Sequence, residues 1–384
     1  MKKTLLGSIA DIQTGPFGSQ LHKEDYVENG TPIVTVEHLG NRVFTEQNLP
    51  MVSDYDKERL NKYVLCEGDI VFSRVGSVDR CSYVDSNHSG WMFSGRCLRV
   101  RPSDKLYPLY LYYYFCMEST KRFVRNIAVG ATMPSINTKL MGEVEISVPS
   151  IDTQKRIATI LSSIDDKIEL NAVINENLEQ QAQAVFKSWF VDFEPFGGVM
   201  PDDWYVSTLG KVSDMSAGGD KPNNATQTVT AENTIPIYSN GIASEGLYGF
   251  TDIAKIQDES VTVSARGTIG YVCLRQTPYF PIVRLVTLVP KKNLISAKYL
   301  YHWLKLLHIV GTGTTQQQLT VPSFKKTEII IPAYSIMERF TKTVNPLYEC
   351  VLANKSENQH LDSLRDTLLP KLMSGEIDVS EVQV

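Results

Sequence analysis

Two stretches of the chain place arginine, glycine and hydroxyl residues directly after a strand-like run. Residues 73–80 read SRVGSVDR and residues 264–270 read SARGTIG, and we call them the arginine loops. A guanidinium group donates two parallel hydrogen bonds, which suits the edge of a guanine base, whereas a glycine-rich hairpin with solvated arginines is the structural alternative. The candidate contact residues are Arg74, Ser77, Arg80, Arg266 and Thr268.

A second pair of stretches is rich in amide and hydroxyl side chains. Residues 129–139 read VGATMPSINTK and residues 311–321 read GTGTTQQQLTV, and we call them the amide loops. Amides can pair with adenine edges, while nearby lysines suit phosphates. The candidates are Thr132, Asn137, Lys139, Gln316, Gln317, Gln318 and Lys325. Residues 15–20 (GPFGSQ) and 218–224 (GGDKPNN, with Lys221) form a third, weaker pair, the glycine loops.

The sequence carries none of the common catalytic patterns. It has no phosphate-binding G-x-x-x-x-G-K-[ST], no dinucleotide G-x-G-x-x-G, no H-E-x-x-H and no G-x-S-x-G. Its six cysteines form no C-x-x-C pair, and His302 and His308 lie six positions apart on an aromatic run, which favours a structural role. We therefore predict a binding protein with no catalytic residues, no metal and no cofactor of its own.

Charge is divided unevenly along the chain. Residues 1–150 carry 17 basic and 17 acidic side chains, and residues 196–333 carry 12 and 10. The shorter segments are acidic, with 4 against 8 in residues 151–195 and 5 against 8 in residues 334–384. Any contact with a polyanion is therefore expected on the two large segments. No window is apolar enough to span a bilayer, and the apolar run at the N-terminus is soon interrupted, so we expect a cytoplasmic protein without membrane contact.

The two halves of the chain resemble one another. A constant shift of 183 positions aligns residues 131–149 with 314–332 and continues through the next forty residues. Upstream, LGSIADIQTG at residue 6 resembles LGKVSDMSAG at residue 209. The chain is thus predicted to be a pseudo-two-fold internal repeat, with each copy a large domain followed by a long helix.

Each large domain is predicted to be a mixture of helix and strand. Short β-branched or alternating runs bounded by Gly or Pro predict strands, and the aromatic runs at residues 106 and 296 predict helices. Their tyrosines are expected to pack on a sheet, with a base-stacking platform as the alternative. The predicted class is α+β, with domains at 1–150 and 196–333 and long helices within 151–195 and 334–384.

The two long helices share a heptad pattern. Apolar residues recur at alternating spacings of four and three from Ile157 to Trp189 and from Phe340 to Leu372, which predicts a two-helix coiled coil. Asp152 and Ser335 are the expected N-caps, and Pro370 is expected to kink or fray the last turn. Two asparagines interrupt each apolar seam, and facing amides can satisfy one another. We predict antiparallel packing in which Asn171 faces Asn358, Asn175 faces Asn354, and Arg365 faces Ile164.

Three strings in the conserved-looking segments resemble a known family. PSIDTQKRIATILSSIDDKIELN from residue 149, FKSWFVDFEPF from 186 and LLPKLMSGEI from 368 are similar to those of type I restriction-modification specificity subunits. The resemblance implies two target-recognition domains that each read half of a split sequence in double-stranded DNA. It also implies helices that set the gap between the halves, two methyltransferase subunits docked near them, and added nuclease-translocase subunits. S-adenosylmethionine, ATP and Mg would then bind to those partners.

An aromatic run at the end of the first long helix supplies candidate docking residues for the methyltransferase subunits. They are Trp189, Phe190, Phe193 and Phe196. The same run would equally suit a buried junction between helix and domain. Two other functions stay open at this point, a pseudo-symmetric scaffold that binds only proteins and an enzyme with unfamiliar motifs.

Overall fold

The computed structural model describes residues 3–16, 18, 20–311 and 317–382 and divides the chain into two compact units. The first unit extends to Glu169 and resumes at Asn358, and the second is Leu170–Glu357. Each unit combines a mixed helix-and-strand domain with parts of two long helices. The predicted α+β class with two domains is confirmed at this level. Within the described ranges, no helix is both long and apolar enough to cross a membrane.

Among the residues that the structure describes, the domain of the first unit contains ten strands and four α-helices. Its sheets have the orders β2-β9-β6-β7, β3-β5-β4-β8 and β1-β10, and all pairs are antiparallel except β4 with β8. The strands are β1 Lys3–Leu5, β2 Ala10–Thr14, β3 Tyr26–Val27, β4 Thr31–Val34, β5 Met51–Val52, β6 Ile70–Ser73, β7 Cys81–Tyr83, β8 Met92–Phe93, β9 Cys97–Pro102 and β10 Glu145–Ser147. The helices are α1 Asp54–Arg59, α2 Pro108–Cys116, α3 Glu118–Ile127 and α4 Thr138–Gly142.

Helix α2 packs its aromatic side chains into the core of this domain. It begins with Pro108 at its first turn, where a missing N–H costs nothing. Tyr110 and Tyr113 are fully buried, and Phe115 packs edge-on against Phe72 of β6 at 4.6 Å between ring centroids. The tyrosines of this run therefore pack the core, and a base-stacking platform would need them at the surface.

Nine strands lie in the described part of the second unit's domain. Its sheets have the orders β12-β18-β15-β16, β14-β13-β17 and β11-β19. The strands are β11 Tyr205–Thr208, β12 Ser213–Ala217, β13 Ile235–Tyr238, β14 Leu247–Thr251, β15 Ser260–Val263, β16 Val272–Arg275, β17 Phe280–Pro281, β18 Val286–Pro290 and β19 Glu328–Ile331. Its helices are α6 Leu209–Val212, α7 Ala297–Leu306 and α8 Val321–Phe324.

Two long helices contribute to both units. They are α5 Ile151–Phe190 and α9 Tyr334–Ser374.

Within each unit the parts of α5 and α9 run antiparallel and bury their apolar seams. In the first unit Leu161 of α5 shares a core with Leu369 and Leu372 of α9. In the second, Phe186 of α5 lies 5.9 Å from Phe340 of α9 between ring centroids. The heptad positions Leu161, Phe340 and Leu372 are therefore buried, but Phe186 and Leu369, which lie outside the predicted heptad, are buried as well.

The ends of the long helices differ from the predictions. Helix α5 already includes Ile151, and Ser150 rather than Asp152 accepts the hydrogen bond from a first-turn N–H, that of Thr153, at 3.2 Å. Helix α9 begins at Tyr334, before the expected cap Ser335. It also continues past Pro370 to Ser374. Pro370 lies on the exposed side of the helix, and its buried neighbours Leu369, Leu372 and Met373 hold the last turn.

The asparagines of the seams form specific hydrogen bonds. Asn354 Nδ2 donates to Asn175 Oδ1 at 2.8 Å. Asn171 Nδ2 donates to Glu357 Oε2 at 2.7 Å, and Asn358 Nδ2 donates to the carbonyl of Ile168 at 3.1 Å. Because Asn175 is 9% exposed, its amide oxygen depends on this partner for much of its hydrogen bonding.

Equivalent positions of the two long helices carry different polar pairs. In the first unit Asp165 accepts hydrogen bonds from Tyr113 Oη at 2.7 Å and from Arg365 Nη1 at 2.9 Å. Arg365 is therefore bound by the carboxylate of Asp165, which is the sequence neighbour of Ile164, the residue that Arg365 was predicted to face. In the second unit Tyr348, 183 positions after Asp165, lies 2.8 Å from Nε2 of His302. Both pairs join a long helix to the aromatic helix of its own domain.

We predict that loss of the Asn175 amide destabilises the second unit. Asn175→Ala is expected to lower the free energy of unfolding by about 1–3 kcal/mol, because Asn354 loses its acceptor in a half-buried seam. The measurement is urea denaturation of the two single variants and of Asn175→Ala with Asn354→Ala. If the loss of unfolding free energy in the double variant equalled the sum of the losses in the two single variants, the result would contradict a direct bond between the two amides.

We also predict that the second unit loses stability in mild acid. Burial and the nearby charge of Lys305 lower the pKa of His302 from 6.5 to about 3. Between these values only the unfolded chain binds the proton, so the free energy of unfolding should fall by about 1.4 kcal/mol per pH unit below pH 6.5. Denaturation between pH 7 and 5 should show a flatter dependence in His302→Gln and an unchanged one in the exposed control His308→Gln. Equal slopes in all three proteins would refute the assignment.

Candidate nucleic-acid interface

The arginine loop and the amide loop of the first unit are joined by backbone hydrogen bonds. Gly76 N donates to Pro134 O at 2.8 Å, and Ile136 N donates to Arg74 O at 3.0 Å. Val75 and Ser135 form an isolated antiparallel bridge between them. Two stretches that are more than fifty positions apart in sequence thus form one surface at the end of β6.

The glycine loop reaches the same end of the sheet. Gly15 N donates to Cys97 O at 3.2 Å, and a Cβ atom on Gly15 would lie 2.1 Å from Ser94 O. Only glycine permits this approach. From the other side, Arg74 Nη1 donates to Gly95 O at 3.0 Å. The turn at residues 94–96 therefore meets the glycine loop and the arginine loop, and the arginine loop in turn holds the amide loop.

The second unit connects its three loops through Asn240, whose Oδ1 accepts from Ala265 N at 2.7 Å and whose Nδ2 donates to Val283 O at 2.7 Å. Leu319 N donates to Ala265 O at 3.0 Å, which joins the amide loop to the arginine loop. Arg284 N donates to Gly218 O at 2.8 Å, which joins the glycine loop to the turn at residues 282–285. Side chains add to these contacts, since Arg266 Nη2 donates to Gln318 Oε1 at 2.9 Å.

Not every predicted arginine is directed at this surface. The guanidinium of Arg80 donates to the carbonyl of Leu39 and covers Gly40, where an added Cβ would lie 2.8 Å from Arg80 Nε. One nitrogen of its guanidinium is therefore engaged by a loop that is distant in sequence, and base reading by this exposed residue stays a prediction. Arg74 contacts the turn at residues 94–96, and Ser77 beside it is exposed.

The other predicted residues fall into two groups. Thr132, Lys139, Gln317 and Lys325 are exposed, and Lys221 is exposed with its Nζ 5.8 Å from the ring of Tyr248. Asn137, by contrast, is the N-cap of α4, because its Oδ1 accepts from Leu140 N at 2.9 Å. Gln316 lies outside the described residues.

Thr268 combines burial with an unused hydroxyl. Its Oγ1 is shielded from solvent and has no hydrogen-bond partner among the residues that the structure describes. A small polar group at the tip of the arginine loop is therefore left without a bond inside the protein. Such a group gains from an external partner.

Sequence analysis missed two arginines in the turns that meet these loops. Arg96 and Arg284 are both exposed, and each stands in the turn that immediately precedes a central strand, β9 or β18. Arg284 and its neighbour Val283 have φ values of 61° and 51°, a conformation that β-branched residues rarely adopt. The signal was an arginine just before the equivalent strand in both halves, at a spacing of 188 rather than 183 positions.

The aromatic run at the end of α5 is mainly a junction between helix and domain. Phe190 is 2% exposed, and its ring lies 4.8 Å from that of Tyr299 and 5.1 Å from that of Phe340 between centroids. Phe193 and Phe196 pack edge-on against Trp204 at 5.8 and 5.2 Å. Phe190 is therefore part of a buried junction between helix and domain, which was the second interpretation of this aromatic run. Trp189, Phe193 and Phe196 keep part of their surface.

No metal-binding cluster was found in the described part of the chain, where no group of three or more His, Cys, Asp or Glu side chains could hold an ion. The buried histidine His302 is engaged by Tyr348 and packs on the ring of Phe186 at 5.3 Å. Its lowered pKa keeps it uncharged at neutral pH. The polar groups that face solvent at the loop surfaces are suited to hydrogen bonding and charge pairing.

Comparison with known proteins identifies a matching family model and similar proteins. The model for the type I restriction modification DNA specificity domain matches residues 1–180 and 201–362. The type I restriction enzyme MjaIX specificity subunit of Methanocaldococcus jannaschii is 30% identical over 313 residues, covering 74% of this chain and 72% of that protein. The HindI specificity subunit of Haemophilus influenzae is 24% identical, covering 82% and 88%. The crystal structure of a type I system S subunit from M. genitalium has a similar fold, with a TM-score of 0.59, 19% identity and coverage of 97% and 95%.

We predict that Phe190 contributes mainly to folding. Phe190→Ala should lower the free energy of unfolding by about 3–5 kcal/mol, because it empties a closely packed aromatic core. Phe196→Ala, at the partly exposed end of the same run, should cost less. Chemical denaturation of both variants measures the difference, and a stable Phe190→Ala protein would contradict this placement.

Proposed function

Because this chain belongs to the family of type I restriction-modification DNA specificity domains, we propose that its two loop surfaces each read one half of an asymmetric, bipartite target in double-stranded DNA. It is a specificity subunit of such a system. The observation that carries the proposal is the linkage of three loops in each unit beside an exposed arginine, Arg96 or Arg284.

The sheets of the two units are similar to one another, whereas their loops are different. The four-stranded sheets have matching strand orders, β2-β9-β6-β7 and β12-β18-β15-β16. This agreement supports the internal repeat. The reading loops do not match, since the shift of 183 positions sets Met133, Pro134 and Ser135 of one amide loop against the consecutive glutamines of the other. Two similar frames with different loops suit a target whose halves differ.

The side chains of these loops would divide recognition between bases and phosphates. Arg74 and Arg266 lie within the joined loops and can reach guanine edges, while Gln317 and Gln318 suit adenine. Arg96, Arg284, Lys139 and Lys325 supply positive charge for phosphates. Lys221, Ser77 and Thr132 are secondary candidates on the same loops. Thr268 would gain a hydrogen-bond partner from DNA.

The long helices would act as the spacer between the two recognition domains. We propose that α5 and α9 form an antiparallel coiled coil around a pseudo-two-fold axis near the four asparagines. The domains would then be residues 1–150 and 196–333, with the helices within 151–195 and 334–384. The seams buried in each unit and the hydrogen bond from Asn354 to Asn175 support this arrangement.

The chain would have no catalytic activity of its own and would work through partners. Two methyltransferase subunits would dock near the helices and the junctions, where Trp189, Phe193 and Phe196 keep exposed area. Nuclease-translocase subunits would complete the complex in the cytoplasm. S-adenosylmethionine, ATP and Mg would bind to those partners. Methyl transfer or cleavage by the purified chain alone would contradict this part of the proposal.

A salt titration of duplex binding tests the proposed function. The complete complex, presented with duplexes from a library selected for methylation, should bind more weakly as salt rises, because contacts with phosphates release counterions. Binding that is absent or indifferent to salt would favour a scaffold that contacts only proteins. Methylation mapping of a host that expresses the complex would give the two half-sites.

We predict that Arg96 and Arg284 each contribute one phosphate contact. Arg96→Ala and Arg284→Ala should weaken duplex binding and reduce the slope of log affinity against log salt by about one each. Lys105→Ala is the matched control, because this exposed lysine follows the opposite end of β9. If the slope of log affinity against log salt were the same in these variants as in the unmodified protein, Arg96 and Arg284 would not contact phosphates.

A further inference from the structure

One arginine of the first domain is held against the long helix α5. Arg42 Nη2 lies 2.6 Å from Asp166 Oδ1 and 2.6 Å from Glu169 Oε2. Its side chain is only 17% exposed, and its Nη1 also points to the carbonyl of Ser162 at 3.5 Å. The guanidinium is thus enclosed by groups of a single helix face.

The backbone around Arg42 is fixed to the domain. Gly40 N donates to Ser82 Oγ at 3.1 Å, and that hydroxyl donates to Asn41 O at 2.7 Å. Tyr83 N donates to Arg42 O at 2.7 Å. Since Ser82 and Tyr83 belong to β7 of the four-stranded sheet, a movement of the sheet moves Arg42 with it.

The second unit joins its domain to a long helix with the opposite polarity. Here the domain supplies the anion, because Glu245 Oε1 accepts from Lys355 Nζ of α9 at 2.6 Å. Arg275 supports the loop, since its Nη2 donates to the carbonyl of Glu245 at 2.6 Å. The guanidinium of Arg275 is in turn stacked 3.6 Å from the ring centroid of Tyr238.

The loop that carries Glu245 adopts an unfavourable backbone conformation. Ser244 and Glu245 have φ values of 47° and 54°, in the left-handed region that residues with a Cβ atom rarely adopt. Such geometry persists where surrounding contacts enforce it. Here the enforced geometry presents the carboxylate to α9.

The two contacts are not copies of one another. The internal shift places Glu349 and Leu352 opposite Asp166 and Glu169, and it places Ala172 opposite Lys355. Each unit therefore forms its domain-to-helix ion pair with its own residues. Ion pairs with exposed partners add little to folding free energy, so their main effect is on geometry.

We propose that Arg42 and Glu245 are positioning residues that fix the angle at which each recognition domain sits on the long helix in its own unit. This inference rests on the proposed function, because the angle decides how the loop surfaces meet DNA. Neither residue belongs to those surfaces.

Charge reversal with compensation tests the first contact. Within the complete complex, Arg42→Glu should weaken duplex binding at least tenfold. The new carboxylate would repel Asp166 and Glu169 and so change the angle of the domain on α5. Arg42→Glu combined with Asp166→Lys and Glu169→Lys should restore the affinity to within threefold. Since residue 42 stays negative in the restored protein, recovery is incompatible with a direct phosphate contact by Arg42.

Variants of Lys355 and Glu245 test the contact between domain and helix in the second unit. Lys355→Glu should weaken binding at least tenfold, because residue 355 would repel the carboxylate of Glu245. Adding Glu245→Gln should restore most of the affinity, because it removes this repulsion and places no second cation beside Arg275, whose Nη1 lies 3.4 Å from Glu245 Oε2. The exposed Lys342 on the same helix supplies the control, and Lys342→Glu should stay within twofold of the unmodified protein. Compensated variants that remain weak, or reversed variants that bind normally, would overturn the proposal.

A distance measurement separates this inference from DNA binding itself. Spin labels at Ser77 and Lys155 in the full chain, with the exposed Cys66 and Cys350 replaced, report the position of the first domain on α5. The distance distribution should be narrow, broaden in Arg42→Glu and narrow again in the compensated protein. A distribution unchanged by Arg42→Glu would refute the positioning role even if DNA binds. An unmodified complex that binds no duplex would instead refute the proposed function.

Discussion

The structure depends on the burial of one apolar stripe along each of two forty-residue helices. A helix gains little from its backbone bonds alone in water, so α5 and α9 persist because each buries this stripe. The burial is shared, since Leu161 packs with Leu369 and Leu372 in the first unit and Phe186 packs with Phe340 in the second. The aromatic helix of each domain completes these cores. A domain and its helix segments are consequently one folding unit, which explains why the compact units end within the helices at Glu169 and Glu357.

Polar groups within these seams specify which surfaces meet. An unsatisfied amide or carboxylate costs more than a mispacked methyl group, so each polar residue restricts packing to the arrangement that satisfies it. Asp165 is satisfied by Tyr113 and Arg365, whereas Tyr348 at the equivalent position is satisfied by His302. The apolar stripes provide most of the attraction and are largely interchangeable. The polar residues make each contact specific.

Much of this architecture could be predicted from the sequence because periodicity and burial are local properties. Heptad spacing identified part of the buried face of each long helix but missed Phe186 and Leu369, and the hydrogen bond between Asn354 and Asn175 lies in the predicted register. Contacts between segments far apart in sequence could not be predicted in this way. Arg80 was assigned to a reading loop, yet it binds the carbonyl of Leu39, forty-one positions away. Asn137 fitted a base-reading pattern equally well but caps α4. Arg96 and Arg284 were missed because the interval between them departs from the main repeat spacing.

The loops of each surface are linked chiefly through their backbones. Gly76 to Pro134, Ile136 to Arg74 and Leu319 to Ala265 are all bonds between an N–H and a carbonyl, and these groups are common to nearly every amino acid. Side chains that point outward from such a frame can be exchanged without removing the bonds that hold the frame together. Glycine at position 15 is one of the few fixed requirements. The outward side chains of both surfaces can therefore be exchanged one at a time at little cost in folding free energy, so a descendant of this protein can change its surface chemistry while it keeps its frame.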